Sequence, residues 1–189
     1  MLTDELRSLT SGATNKIGKT IGGLGITANS VTFLVLVFGI IAAYFIYKCS
    51  FMLAILFFLI SGLMDGIDGA VAKAMKKETK FGGLLDSTTD KFTEILVYIA
   101  LGMYNSALWL PASLAISFFM LSSYISKHAK ASGGKSGGGI IERKERMILI
   151  ILGLFYINYM VYALWIIAIF SFITGIQRFI KNYKILSAN

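Results

Sequence analysis

The sequence predicts an all-α integral membrane protein with six transmembrane helices preceded by an N-terminal amphipathic surface helix. Three observations carry this. The 189 residues are 56% hydrophobic and only 15% charged, against about 25% charged in soluble domains. Six apolar helical stretches can be counted, and the apolar runs are too long for a soluble domain of this length. The basic residues, finally, fall almost entirely on one side of a six-span layout.

The N-terminal segment, residues 1–28, carries Leu2, Leu6, Leu9, Ala13, Ile17, Ile21 and Leu24 at three- or four-residue intervals, with Lys16 and Lys19 off that stripe. This pattern predicts a helix lying on the membrane surface. The start, MLTDELRSLT, has no basic region followed by an apolar one, so no cleaved signal peptide is expected. The GITANS stretch ends the segment, with Asn29 or Ser30 as the expected N-cap of the first span. Residues 29–189 then form the membrane domain. Its spans are read at about 31–47, from Phe51 into an acidic stretch, about 84–104, about 107–128, about 141–156 and about 159–180. The breaks at 48–51, 104–107 and 156–159 are short, which favours antiparallel neighbours.

With six spans, both termini share one side with the 73–83 and 129–146 loops. Of 18 Lys and Arg, only Lys48 falls opposite. That bias makes the basic side cytoplasmic. Most of the net charge of +8 therefore reflects topology, and no nucleic-acid partner is implied. The single cysteine, Cys49, excludes an intrachain disulfide and a cysteine metal cluster.

Residues 65–90 read DGIDGAVAKAMKKETKFGGLLDSTTD. Phe51 to Met64 supplies only roughly 21 Å of helix, so Asp65 sits short of the roughly 30 Å needed to cross. Carboxylates there are costly and mark a functional site by default. Asp65 and Asp68 are three apart and Asp86 and Asp90 four apart, so each pair shares one helix face. A short loop folds the two helices together, and all four acids can converge. Ionised together they would repel, so protons or divalent cations must offset them. A carboxylate-only set suits hard cations such as Mg²⁺ or Mn²⁺. Gly69, Ala72, Gly82 and Gly83 allow close approach of a helix or of a bulky phosphate ligand. Pairing with surface lysines, or an ion or proton pathway, are the competing readings of the acids.

The pattern Asp-x2-Asp-Gly-x2-Ala-Arg-x8-Gly-x3-Asp-x3-Asp resembles the signature of the CDP-alcohol phosphotransferases. Here it reads Asp65, Asp68, Gly69, Ala72, Lys73, Gly82, Asp86 and Asp90, with every spacing kept and Lys73 in place of arginine. Lysine keeps the charge but loses the planar fork. The resemblance implies two divalent ions, Mg²⁺ or Mn²⁺, held by the four aspartates, with Asp90 as general base on the acceptor hydroxyl. It implies a CDP-linked lipid donor held by Asn29, Thr32, Gly69, Ala72, Lys73, Thr79 and Gly82. It also implies a homodimer in the lipid bilayer, with the active site on the cytoplasmic side. Lys76, Lys77 and Lys80 are read as membrane-surface anchors.

The stretch SYISKHAKASGGKSGGGIIERKERM is similar to the matching region of the phosphatidylinositol-phosphate and archaetidylinositol-phosphate synthase branch. That resemblance implies a small phosphorylated alcohol, an inositol phosphate, as acceptor. Lys127, His128, Arg143, Arg146 and Arg178 would hold its phosphate. Glycerol phosphate, serine and free inositol remain alternative acceptors, and the donor lipid is either diacylglycerol- or archaeol-based.

Overall fold

The computed structural model describes residues 18–75 and 77–187, and every regular element among them is helical. We label the six long helices α1 (Ala28–Tyr47), α2 (Phe51–Ala74), α3 (Lys80–Tyr104), α4 (Trp109–Ala131), α5 (Arg143–Phe155) and α6 (Met160–Leu186). Single 3₁₀ turns at Ser106–Leu108 and Ile157–Tyr159 lead into α4 and α6. With these turns counted, four helices are long and apolar enough to cross a membrane: α1, α2, α4 and α6. The first turns of α3 carry Lys80, Asp86, Asp90, Lys91 and Glu94. The 13 residues of α5 reach only about 20 Å. Most of the expected N-terminal surface helix lies outside the described residues.

The chain divides into two units. One comprises the described residues up to Tyr44 together with Leu56–Val97, and the other Phe45–Ile55 with Tyr98 onward.

In the first unit, the helical stretch 18–23 packs on the end of α2. A Cβ on Gly18 would stand 2.5 Å from the Ala70 carbonyl oxygen, and one on Gly22 2.6 Å from the Met75 sulfur. Gly18 and Gly22 are thus what lets this segment seat. α1 is capped by Thr27, whose Oγ1 accepts from the Ser30 amide at 3.2 Å. Neither Asn29 nor Ser30 is the cap, because only Thr27 stands three residues before the amide its hydroxyl reaches. α1 and α2 are joined by the buried Ser61 hydroxyl, which donates to the Val35 carbonyl at 2.9 Å, and by stacked Phe38 and Phe57 rings. Gly39 of α1 lies directly against the buried Thr93 of α3.

The second unit is built on α4, α5 and α6, with α4 lying along α6 and α5 packed on α6. Small residues set the closest approach: Gly175 of α6 faces Ser122 of α4. Phe119, Leu154, Met160, Leu164 and Ile167 are fully or almost fully buried. α1 ends in this unit on Cys49, which adopts φ 58°. The Ser50 amide reaches the Phe45 carbonyl at 2.9 Å and the Cys49 amide the Ile46 carbonyl at 3.0 Å. This is a Schellman cap with cysteine where glycine is usual.

Candidate active site

α2 and α3 present the acids. Residues three, four and seven apart share a helix face, so Asp65, Asp68, Gly69 and Ala72 line one side of α2. Gly82, Asp86 and Asp90 do the same on α3. Thr79 starts α3 by capping it, its Oγ1 accepting from the Gly82 amide at 2.9 Å. This cap is why α3 begins at Lys80, a turn ahead of its first sustained apolar run.

Oxygens of Asp65, Asp86 and Asp90 lie within 4.8 Å of one another, and all three residues are half-buried. Three full charges at that spacing oppose each other by about 3 kcal/mol per pair at an effective dielectric of about 20. A bound divalent cation removes that cost, and an all-carboxylate set matches the hard ions Mg²⁺ and Mn²⁺. The residues therefore fit the metal. Asp68 is set apart: it is 4% exposed, and its Oδ2 accepts from the Thr32 hydroxyl at 2.7 Å. Thr32 is itself 3% exposed, so this bond ties α1 to the acidic face of α2.

Beside the acids opens a cavity of about 290 Å³. Its wall includes Asn29, Thr32, Asp68, Gly69, Ala72, Thr79, Gly82 and Asp86, all expected from the sequence. Ala28, Lys77, Glu78 and Gly83 line it too. Asn29 is free to do so because Thr27 does the capping. Its Oδ1 lies 3.4 Å from where a Gly82 Cβ would be. A Cβ on Gly69 or Gly83 would meet no atom within 4 Å. Protein packing does not demand these two glycines, and the space they leave opens beside the acids.

The lysines divide differently from the sequence reading. Lys73 is exposed and is not among the residues that line the cavity. Lys77, read as an anchor, is in the cavity wall and also lines a neighbouring cavity of about 250 Å³ with Gly22, Thr27 and Met75. Lys76 lies outside the described residues. The signal for Lys77 was its place in the turn between the two acid pairs, where a cation can reach back over either helix end.

The basic residues expected to hold the acceptor belong to the second unit. Lys127 and His128 are exposed near the end of α4, and the His128 ring stacks on Tyr124 at 5.7 Å. α5 opens with a capping box in which Glu142 and Glu145 satisfy each other's backbone amides. This orients Arg143, which is half-buried, and Arg146, which is 5% exposed. The Arg146 guanidinium carbon stands 4.7 Å from the centroid of the buried Phe119 ring, a cation–π contact. Phe119 in turn stacks on Tyr98 at 5.8 Å. Arg178 donates from Nε to the Gly138 carbonyl at 2.6 Å, and its Nη1 lies 3.1 Å from the Ser122 carbonyl and hydroxyl oxygens. Its Nη2 faces Glu142 at 3.6 Å. The residues missed by sequence reading here are Ser122, Ser126, Thr174 and Asn182, all buried polar side chains on α4 and α6.

A family model described as CDP-alcohol phosphatidyltransferase matches residues 25–176. The chain is 33% identical over 170 residues to the archaetidylinositol phosphate synthase of Pyrococcus horikoshii, covering 89% of this chain and 90% of the relative. It is 28% identical over 181 residues to the phosphatidylinositol phosphate synthase of Mycobacteroides abscessus, covering 87% and 81%. Among solved structures it is similar to the phosphatidylinositol phosphate synthase of Mycobacterium tuberculosis with CDP-DAG bound. The TM-score is 0.82 at 25% identity, over 90% of this chain and 93% of that one. The same enzyme in complex with manganese and citrate gives a TM-score of 0.81.

Proposed function

Because the chain belongs to the CDP-alcohol phosphatidyltransferase family, we propose that it transfers the phosphatidyl or archaetidyl group of a CDP-linked lipid to a hydroxyl of an inositol phosphate, releasing CMP. The observation that carries this is the three-carboxylate cluster beside a cavity lined by glycines that packing does not require. The glycines leave room there for a diphosphate to approach the helix backbone.

The chemistry follows from the residues. The acceptor hydroxyl gives its proton to the Asp90 carboxylate. The resulting oxygen attacks the β-phosphorus of the donor, and the bond from that phosphorus to the oxygen shared with the α-phosphate breaks. CMP leaves with that oxygen and the electron pair. Mg²⁺ or Mn²⁺ held by Asp65, Asp68, Asp86 and Asp90 would supply charge neutralisation on the phosphoryl oxygens and the leaving group. Thr32 holds the Asp68 carboxylate in place. Asn29, Gly69, Ala72, Lys77, Thr79 and Gly82 seat the nucleotide diphosphate, and the exposed Lys73 adds positive charge for it. Lys127, His128, Arg143, Arg146 and Arg178 supply positive charge for the acceptor's phosphate.

In this reading residues 29–189 are one catalytic membrane domain behind a surface segment, residues 1–28. α3 and α5 complete six spans, the short α5 being met by local thinning of the bilayer, and both termini and the site face the cytoplasm. The protein works as a homodimer. The test is CMP release by purified protein supplied with a CDP-lipid, Mg²⁺ or Mn²⁺ and one acceptor at a time. Release with inositol 1-phosphate, and not with glycerol phosphate, serine or free inositol, is the expected result. Silence with inositol 1-phosphate would overturn the acceptor assignment. Pairing CDP-diacylglycerol with CDP-archaeol in the same assay reads donor preference.

A further inference from the structure

The loop from α4 to α5, SGGKSGGGII, has the look of a phosphate-cradling glycine loop, but five of the amides that would build it are already in use. The Lys135 amide donates to Asn182 Oδ1 at 2.8 Å, and the Gly137 amide to Ser126 Oγ at 2.9 Å. The Gly138 amide lies 3.3 Å from Glu142 Oε1. Ile140 and Ile141 both donate to Thr174 Oγ1 at 3.1 Å. A backbone so occupied does not offer a nest of N–H groups to an anion.

The bonds have an order. Thr174, Arg178 and Asn182 stand four residues apart on one face of α6. They meet the loop at 140–141, at 138 and at 135 in turn. The loop thus runs antiparallel to the last turns of α6, pinned about once per helical turn. Asn182 also locks the ladder from within, donating from Nδ2 to the Arg178 carbonyl at 2.9 Å. Thr174 is 1% and Asn182 4% exposed. Buried polar groups are kept when a partner satisfies them, and here the partner is this loop.

The pinned segment ends at Ile141, next to Glu142, the N-cap of α5. Thr174 therefore fixes the chain where α5 begins, and with it the first turn that carries Arg143 and Arg146. We propose that Thr174 and Asn182 are positioning residues for the acceptor's phosphate: they hold residues 135–141 on α6 and so set where Arg143, Arg146 and Arg178 stand. The proposal rests on the functional reading above.

The test compares Thr174→Val, which keeps the shape and removes the hydroxyl, with Thr174→Ser, which restores it. Thr174→Val should raise the KM for inositol 1-phosphate about tenfold or more while the KM for the CDP-lipid stays put. Asn182→Leu should act in the same direction, and Thr174→Ser should return to near wild type. An unchanged acceptor KM, or an equal rise in both KM values, would overturn the proposal. Failure of the functional reading shows separately, as a wild type that turns over no phosphorylated acceptor. Amide hydrogen exchange at Ile140 and Ile141 then decides: it must rise about tenfold in Thr174→Val and not in Thr174→Ser, and equal protection in all three proteins sinks the idea.

Discussion

The two glycine-rich regions of this chain use the same residue for opposite purposes. At the acidic site, Gly69 and Gly83 sit in helices with open space where a Cβ would be. In the α4–α5 loop, Gly137, Gly138 and Gly139 take φ of 77°, 82° and 132°, and a Cβ on Gly139 would run into Thr174. The first pair leaves a void for a ligand, and the second set makes a bent backbone possible. Composition cannot separate these uses. The backbone angle and the neighbouring atoms can.

Substitutions sharpen the contrast, beginning with the acid that neither glycine set can replace. Asp90→Asn should cut CMP release by about 10²–10⁴-fold if its carboxylate takes the acceptor proton. Retained turnover would remove Asp90 from that role. Gly69→Ala and Gly139→Ala should then part company. In α2, alanine is the better helix former and should raise stability by about 0.5–1 kcal/mol, while its methyl group raises the CDP-lipid KM about tenfold or more. In the loop, alanine at a strained positive φ should lower stability by about 1–3 kcal/mol. Thermal unfolding in detergent reads both, and a Gly69→Ala protein that binds donor normally would show that the void is not used. The smallest effect belongs to Cys49, a residue in the glycine conformation without being glycine. Cys49→Gly should gain about 1 kcal/mol in the same melt with activity unchanged.

The acidic site was legible in the sequence because charge is expensive in an apolar helix and stands out at helical spacing. Asp65, Asp68, Asp86 and Asp90 announced themselves in that way, and the glycines between them followed from the motif. All six long helices were legible too, with errors at their ends. α6 continues to Leu186, past the expected stop near residue 180, because hydropathy reads the edge of the membrane and not the end of the helix. The cap of α1 was ambiguous for a local reason: TANS offers three side chains able to cap, and only the geometry selects Thr27. Thr174 and Asn182 were not legible at all. Their hydrogen bonds reach 33 to 47 residues along the chain, and no local periodicity encodes a contact at that distance.

The clamp along α6 bears on how catalysis is timed. A loop with five glycines is among the most floppy sequences a chain can contain, and ordering it costs entropy. Here that cost is met when the protein folds, by side chains already buried for the purpose. On the proposed reading, an arriving anion would find its cationic surroundings assembled, and the energy of its binding would not be drained into freezing a tether at every turnover.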